Sequence, residues 1–425
     1  MNNRISFQNK TTVGTVLLGL YILTSYVAQG IVVSDVVNSA FLYLFLAWGV
    51  VTGVMESSVT ITQFKAWYGI FLGLSVLTLV YSPEPFTLLD GSIYFVLVAF
   101  ILTCFMQRIV TSKKAFQSIA VMYTIASTAL MFLLFVTGNL SSLNGIRLGE
   151  ELVGNNANVF ARMMMTALMY ELWLLVYEPM TTRLKVLLVL CMGANVVGLF
   201  LSGGRTFIVV PVIFLYILLL FKKDRHGRGA FFGYTCLIVV IAVLLWNLMM
   251  RVPIFYEMIG SRMEGLLHVL TGEGTVDAST VIRDRMKPLA LKGWLQSPLF
   301  GHGFDSFKYY NLDVLGRFYY SHCNFTELLY NGGILYFGVY YWFYYDLVKR
   351  AIKQKKIPTA YRAFAAAAVV SLLALDYGSV SYFATPTIIM LMMADSALRM
   401  SAADKGSELE NEKPGQTSTV SLRRG

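Results

Sequence analysis

Residues 319–333 read YYSHCNFTELLYNGG, which puts a histidine, a cysteine, an asparagine and a glutamate between His322 and Glu327. These side chains are the ingredients of a metal site, a thiol nucleophile or a general base. A metal is disfavoured. His322 and Cys323 are adjacent and point apart on a helix, and no second histidine or cysteine stands nearby to complete a tetrahedral set. A thiol nucleophile needs a base oriented toward sulfur, which an adjacent residue does not easily supply. A general base is the reading left, with His322 as the candidate and His302, in FGHGF, as its competitor. His226 lies among basic loop residues and His268 follows an amphipathic stretch, so both are set aside.

A second group of candidates is cationic. Arg147 and Arg162 flank the start of one apolar segment, Arg205 opens another in LSGGRTF, and Arg283 and Arg285 lie in a long loop. A guanidinium fork matches phosphate oxygens. An arginine at a membrane interface also snorkels to lipid headgroups with no further role. SGGR is the most pointed of these patches, because two glycines let backbones approach closely. A charge held between apolar spans costs roughly 3 kcal/mol unless it is paired. The chain has no GxxxxGK[ST] loop for nucleotide and no tight acidic cluster on the outer side for a divalent metal. Chemistry here would have to use a substrate that is already activated and carried by lipid.

The elements that must position these residues are membrane helices. The chain is 56% hydrophobic and 14% charged, against about a quarter charged in soluble domains. Its apolar residues gather into runs long enough to cross about 30 Å of hydrocarbon. Twelve spans are expected, at 12–33, 36–55, 66–81, 92–107, 115–137, 158–177, 184–202, 205–221, 230–250, 333–349, 361–376 and 379–397. A spanning sheet would instead show short alternating segments. The expected fold is therefore all-α, a polytopic helical membrane protein with one large outer loop at 251–332 between spans nine and ten. The first span is too long for a signal peptide.

With the N-terminus in the cytoplasm, most of the 34 lysines and arginines fall on the inner side, as the positive-inside rule requires. The net charge of +10 is then explained by inner loops facing anionic lipid, with no nucleic acid as partner. Both termini are expected in the cytoplasm of a multi-pass cell-membrane protein. The candidate residues gather on the outer face. Residues 1–400 form the expected bundle and 401–425 a disordered cytoplasmic tail. Within the outer loop, residues 277–296 read as a helix interrupted at Pro288, followed by the Gly-rich turn SPLFGHGFDSF and a dense set of aromatics. Cys104, Cys191 and Cys236 fall inside spans; Cys323 alone falls outside, without a disulfide partner.

Four patches, in order, resemble the O-antigen ligase and O-antigen polymerase family. RLGEELVGNNANVFA, from Arg147, is similar to its first outer loop, with Ala157 where proline is usual. LSGGRT is similar to its small-residue-plus-arginine patch. RDRMKPLALKGWLQSPLFGHGFDSF resembles its arginine, helix and PLxGxG element; the spacing favours Arg283 over Arg285, and Lys287 stands where tryptophan is often found. SHCNFTELLYNGGI is similar to its histidine patch, with His322, Glu327 and Gly333 at the usual spacing and Asn324 displaced by one.

The resemblance implies a membrane glycosyltransferase of the GT-C kind that needs no metal or other cofactor. Its donor is a glycan on polyprenyl, most commonly undecaprenyl, diphosphate. Its acceptor is another glycan, either a lipid-linked repeat unit in a polymerase or lipid A core in a ligase; transfer to a protein ranks third. The implied roles are His322 as base and Arg205, Arg283 and Arg147 on the diphosphate, with Arg285, Arg162, Asn158, Asn324, Glu327 and His302 in support. A histidine titrating near ambient pH suits the base role. A lipid-linked oligosaccharide flippase is the reading from a different class, since arginines at phosphate depth serve it too.

Overall fold

The computed structural model describes residues 2–28, 35–56, 60–83, 91–137, 147–148, 156–222, 228–265 and 278–400. The expected tail at 401–425 and most of the first outer loop lie outside the described residues. Among those residues the chain is helical and has no strand. Within a membrane, a helix satisfies its own backbone hydrogen bonds, and the apolar runs of this sequence fold accordingly. In chain order the helices are α1 (Asn2–Val27), α2 (Asp35–Glu56), α3 (Gln63–Thr78), α4 (Ser92–Ile109), α5 (Lys113–Val136), α6 (Ala157–Tyr177) and α7 (Thr182–Ser202). Next come α8 (Arg205–Leu220), α9 (Arg228–Arg251), α10 (Ala278–Trp294), α11 (Phe307–Leu315), α12 (Asn324–Lys353), α13 (Thr359–Gly378) and α14 (Thr385–Ala397).

Each of the twelve expected segments falls on a helix, but eight helices among the described residues are long and apolar enough to cross a membrane by length and composition. The difference has local causes. α8 has 16 residues and α14 only 13, while α12 carries polar first turns and a break at Gly333. The protein is a polytopic helical membrane protein.

α6 is the central post, buried along nearly its whole length, with α5, α7 and α8 packed around it. α13 packs on α8, α12 and α14. α9 stands at the edge, and none of its apolar window is buried. On one flank, the Trp67 ring of α3 stacks on Phe343 of α12 at 4.4 Å, and its indole N–H donates to the Val339 carbonyl at 2.9 Å. At the bundle end where α12 finishes, the fully buried Asp395 carboxylate takes Arg350 at 2.9 Å, Arg399 at 3.0 Å and Gln107 at 3.1 Å. A buried charge is tolerable only with such partners.

The element that shapes the other end is the break in α12. Gly333 has φ 66° and ψ −166°, a conformation available to glycine alone at little cost. The turn after α10 fills the gap. His302 N donates to Tyr330 O at 2.9 Å, Gly303 N to Asn331 O at 2.8 Å, and Ile334 N to Pro298 O at 2.9 Å. A Cβ on Gly333 would overlap the Leu299 carbonyl, and one on Gly301 would come 2.6 Å from Gly332 N. Two glycines thus interlock loop and helix. α10 is seated by Met286 and Ala290, which pack with Phe307 and Tyr330. It runs through Pro288 without the expected interruption. The proline removes one helical hydrogen bond, but buried anchors on both sides of it hold the two halves in line.

Candidate functional site

The site begins where α7 meets α8. Gly203 caps α7 in the left-handed region, with φ 64°. A Cβ there would lie 2.7 Å from Met258 O and 2.9 Å from Arg147 Nε, so the close approach expected of SGGR is realised. Arg147 Nε donates to Ser202 O at 2.8 Å, and Leu148 N donates to Leu201 O at 2.9 Å. Arg205 is the first residue of α8, and one of its terminal nitrogens donates to Arg262 O at 3.1 Å. The positive end of a helix dipole adds to these guanidinium groups.

The opposite wall comes from α10 and the turn before α12. Arg283 and Lys287 stand four residues apart on α10, hence on one helical face. His322 sits in the turn with φ 58°, a left-handed conformation that a non-glycine residue holds only when its surroundings impose it. The imposing contacts are close at hand. Ser321 N donates to Glu327 Oε2 at 2.7 Å, Ser321 Oγ to Cys323 O at 2.9 Å, and Thr326 Oγ1 to Ser321 Oγ at 3.0 Å. Tyr320 meets the imidazole edge-on at 4.8 Å. Among the described residues no hydrogen bond engages the His322 ring.

These walls enclose one cavity of about 250 Å³. Of the expected site residues, Arg147, Asn158, Arg205, Arg283 and His322 line it, from positions far apart in the sequence. Arg262, Lys287, Tyr320, Tyr377 and Ser379 line it too, and sequence reasoning missed them. Lys287 had a signal, its i+4 spacing from Arg283. Arg262 and Tyr377 had none, because their place depends on how α9 and α13 end. Among the described residues the lining carries arginine, lysine and histidine and no carboxylate, an arrangement that suits an anion.

Burial first, then the charges of Arg283 and Lys287, push the His322 imidazole down from 6.5 to about 3. This differs from the expectation of a histidine titrating near ambient pH: the ring is neutral across the physiological range and, with no anion bound beside it, a weak base. A bound anion beside those two cations would move it back up.

The other expected residues stand outside the cavity. Arg162 is buried behind its wall and donates to Thr387 Oγ1 at 3.0 Å, Ser379 Oγ at 2.8 Å and Val380 O at 3.1 Å. Arg285 is exposed, on a different face of α10. Asn324 Oδ1 accepts from Ser381 N at 2.9 Å and Tyr382 N at 3.0 Å, tying α12 to the α13–α14 turn. Glu327 is fully buried and braces the histidine turn. His302 hydrogen-bonds Gly293 O at 2.9 Å and stacks on Tyr330 at 4.5 Å, which makes it part of the loop anchor. Cys323, expected to lie open outside the spans, is buried, because the hydrogen-bonded turn folds its side chain inward.

Fold and cavity together define a helical membrane protein with a cationic pocket where several helices end. Residues 187–343 match the family model described as O-antigen ligase. Over this segment the chain is similar to the O-antigen ligase family. The matched segment contains Arg205, Arg262, Arg283, Lys287 and His322; Arg147, Asn158 and Tyr377 complete the cavity from outside it. No curated protein matches the chain.

Proposed function

We propose that the protein transfers a glycan from polyprenyl diphosphate to the hydroxyl of an acceptor glycan, and that it polymerises lipid-linked repeat units of an O-antigen, capsule or exopolysaccharide at the outer face of the cell membrane. The observation that carries this reading is the lining of one cavity by a neutral imidazole and by Arg147, Arg205 and Arg283. In the proposed step, an acceptor oxygen attacks the anomeric carbon and its proton passes to His322. The bond from that carbon to the diphosphate breaks, and the electron pair leaves on the diphosphate. Attack opposite the leaving group inverts the anomeric centre. Diphosphate departs readily once its charge is met, so preorganised guanidinium groups supply what the step needs most. The imidazole completes it by general-base catalysis.

A second cavity, of about 200 Å³ and lined by carbon, supports the lipid-borne donor. It runs between α6, α7, α8 and the loosely packed α9. Ile208, Pro211, Val212 and Leu215 of α8 line it, and Ile241 and Leu245 of α9 face them. Ile208, Val212 and Leu215 continue down the helix from Arg205 at spacings of three and four, which is one face. An isoprenoid chain lying there would start directly beneath the phosphate-binding arginine.

The test is incubation of the purified protein in nanodiscs with a defined undecaprenyl-diphosphate oligosaccharide, alone and with lipid A core. A ladder of longer lipid-linked glycans supports polymerisation. Transfer to the core alone assigns ligation instead. Movement of the donor between leaflets with no new glycosidic bond assigns a flippase and overturns the proposal.

A further inference from the structure

Lys287 is a lysine in a cavity already rich in arginine, and its placement is specific. It lies one turn beyond Arg283 on α10, a helix fixed by the buried Met286 and Ala290 on its adjoining face. It forms no ion pair among the described residues. Its ammonium rests instead over the ring of Tyr377, 4.1 Å from the centroid. Tyr377 ends α13 with 65% of its surface open. The next residue, Gly378, abuts Thr206 so closely that a Cβ would overlap the threonine side chain, which pins this ring at the cavity rim.

The cavity thereby has two sides. Arg147 and Arg205 are tied near the α7–α8 turn, donating to the Ser202 and Arg262 carbonyls respectively. Lys287 stands on the wall that carries His322, whose imidazole feels the Arg283 and Lys287 charges, and Tyr377 faces Lys287 at the rim. In the proposed transfer Arg283 on this wall meets the diphosphate and the base faces the acceptor hydroxyl, so the pair at the rim, one turn beyond Arg283, is placed to meet the acceptor. An aromatic face beside an ammonium presents two complementary surfaces: a platform for the C–H face of a sugar ring and a cation for an acidic substituent. We infer that Lys287 and Tyr377 form an acceptor subsite that takes a sugar bearing an anionic group, a carboxylate or a phosphate. This inference rests on the glycosyl-transfer reading for its choice of side.

The test uses the full-length protein in nanodiscs and four small probes, with glycoside binding followed by saturation-transfer NMR and diphosphate binding by phosphorus-31 line broadening. The probes are methyl β-glucuronide, methyl β-glucoside, methyl β-glucoside 6-phosphate and inorganic diphosphate. Wild type should bind at least one charged glycoside about tenfold more tightly than the neutral one; the preferred member of the charged pair identifies carboxylate or phosphate. Lys287→Gln should erase that preference and leave the neutral glycoside and diphosphate within about twofold of wild type. Lys287→Arg should keep it. Tyr377→Ala should weaken all three glycosides together. Retained diphosphate binding reports that each variant is folded. Equal binding of charged and neutral glycosides by wild type overturns the subsite. A loss of diphosphate binding in Lys287→Gln as large as the loss of charged glycoside reassigns the lysine to the donor side and also overturns it. Failure of wild type to bind diphosphate would count against the donor reading while leaving the glycoside preference measurable.

Discussion

The amide of Ser321 donates a 2.7 Å hydrogen bond to the Glu327 carboxylate, from the residue before His322 to the first turn of α12. That bond closes the turn in which the histidine takes its left-handed conformation. Glu327→Ala removes the acceptor and leaves a buried amide unpaired, at a cost of about 1–3 kcal/mol. The expected result is a protein that still inserts but transfers about tenfold or more slowly, with Glu327→Gln retaining much of the activity. Donor binding, measured separately, should change little in both, which separates loss of a positioned base from loss of the site.

Arg205 and Arg283 reach the cavity from opposite walls. If both hold the departing diphosphate, each alanine variant should lose about 10²–10³-fold in turnover, the range for removing one preorganised donor. Lysine should rescue only part of that, because an ammonium lacks the bidentate fork. Full activity in both alanine variants would move the diphosphate to Arg147 or Arg262. Arg285→Ala, on the exposed face of α10, is the matched control and should behave as wild type.

His322→Ala should cost about 10²–10⁴-fold in rate without loss of donor binding. His302→Ala should act through stability, since its ring hydrogen-bonds Gly293 and stacks on Tyr330. Cys323→Ala should transfer normally, and a membrane-impermeant thiol reagent should leave native Cys323 unlabelled because it is buried. A collapse of transfer in Cys323→Ala would revive the thiol nucleophile.

The pH profile carries its own sign. The free-enzyme imidazole is held down to about 3 by burial, Arg283 and Lys287. A base is active when unprotonated, so the acid limb of kcat/KM should fall well below pH 6.5. Bound diphosphate offsets the Arg283 charge, so the limb in kcat should lie at higher pH than the limb in kcat/KM. Coincident limbs near pH 6.5 in both profiles would show that the pocket does not desolvate the ring.

Gly333→Ala should unfold the turn after α10 before it touches the chemistry. The substitution places a Cβ against the Leu299 carbonyl at φ 66°, and strain plus overlap together cost about 2–4 kcal/mol. A lowered melting temperature and protease cleavage within 295–306 are the readouts.

The helical class followed from composition and run length, because a helix satisfies its own backbone within hydrocarbon; the count of twelve spans did not, since eight helices among the described residues are long and apolar enough to cross. Arg147, Arg205, Arg283 and His322 were legible because each sits in a short local pattern: a glycine pair, a helical spacing, a polar cluster at a span end. What pattern could not supply was convergence. Arg162 and Arg205 look alike in sequence, yet one is locked behind the wall by Ser379, Thr387 and Val380 while the other opens onto the cavity. His302 and His322 both follow aromatics, and only the break at Gly333, which draws the first into the loop anchor, tells them apart. Tyr377 and Arg262 carry no local mark at all. Local spacing records which face of a helix a residue shares; which helix ends meet, and hence which charges share a cavity and lower a histidine's pKa, is decided by packing between segments distant in the chain.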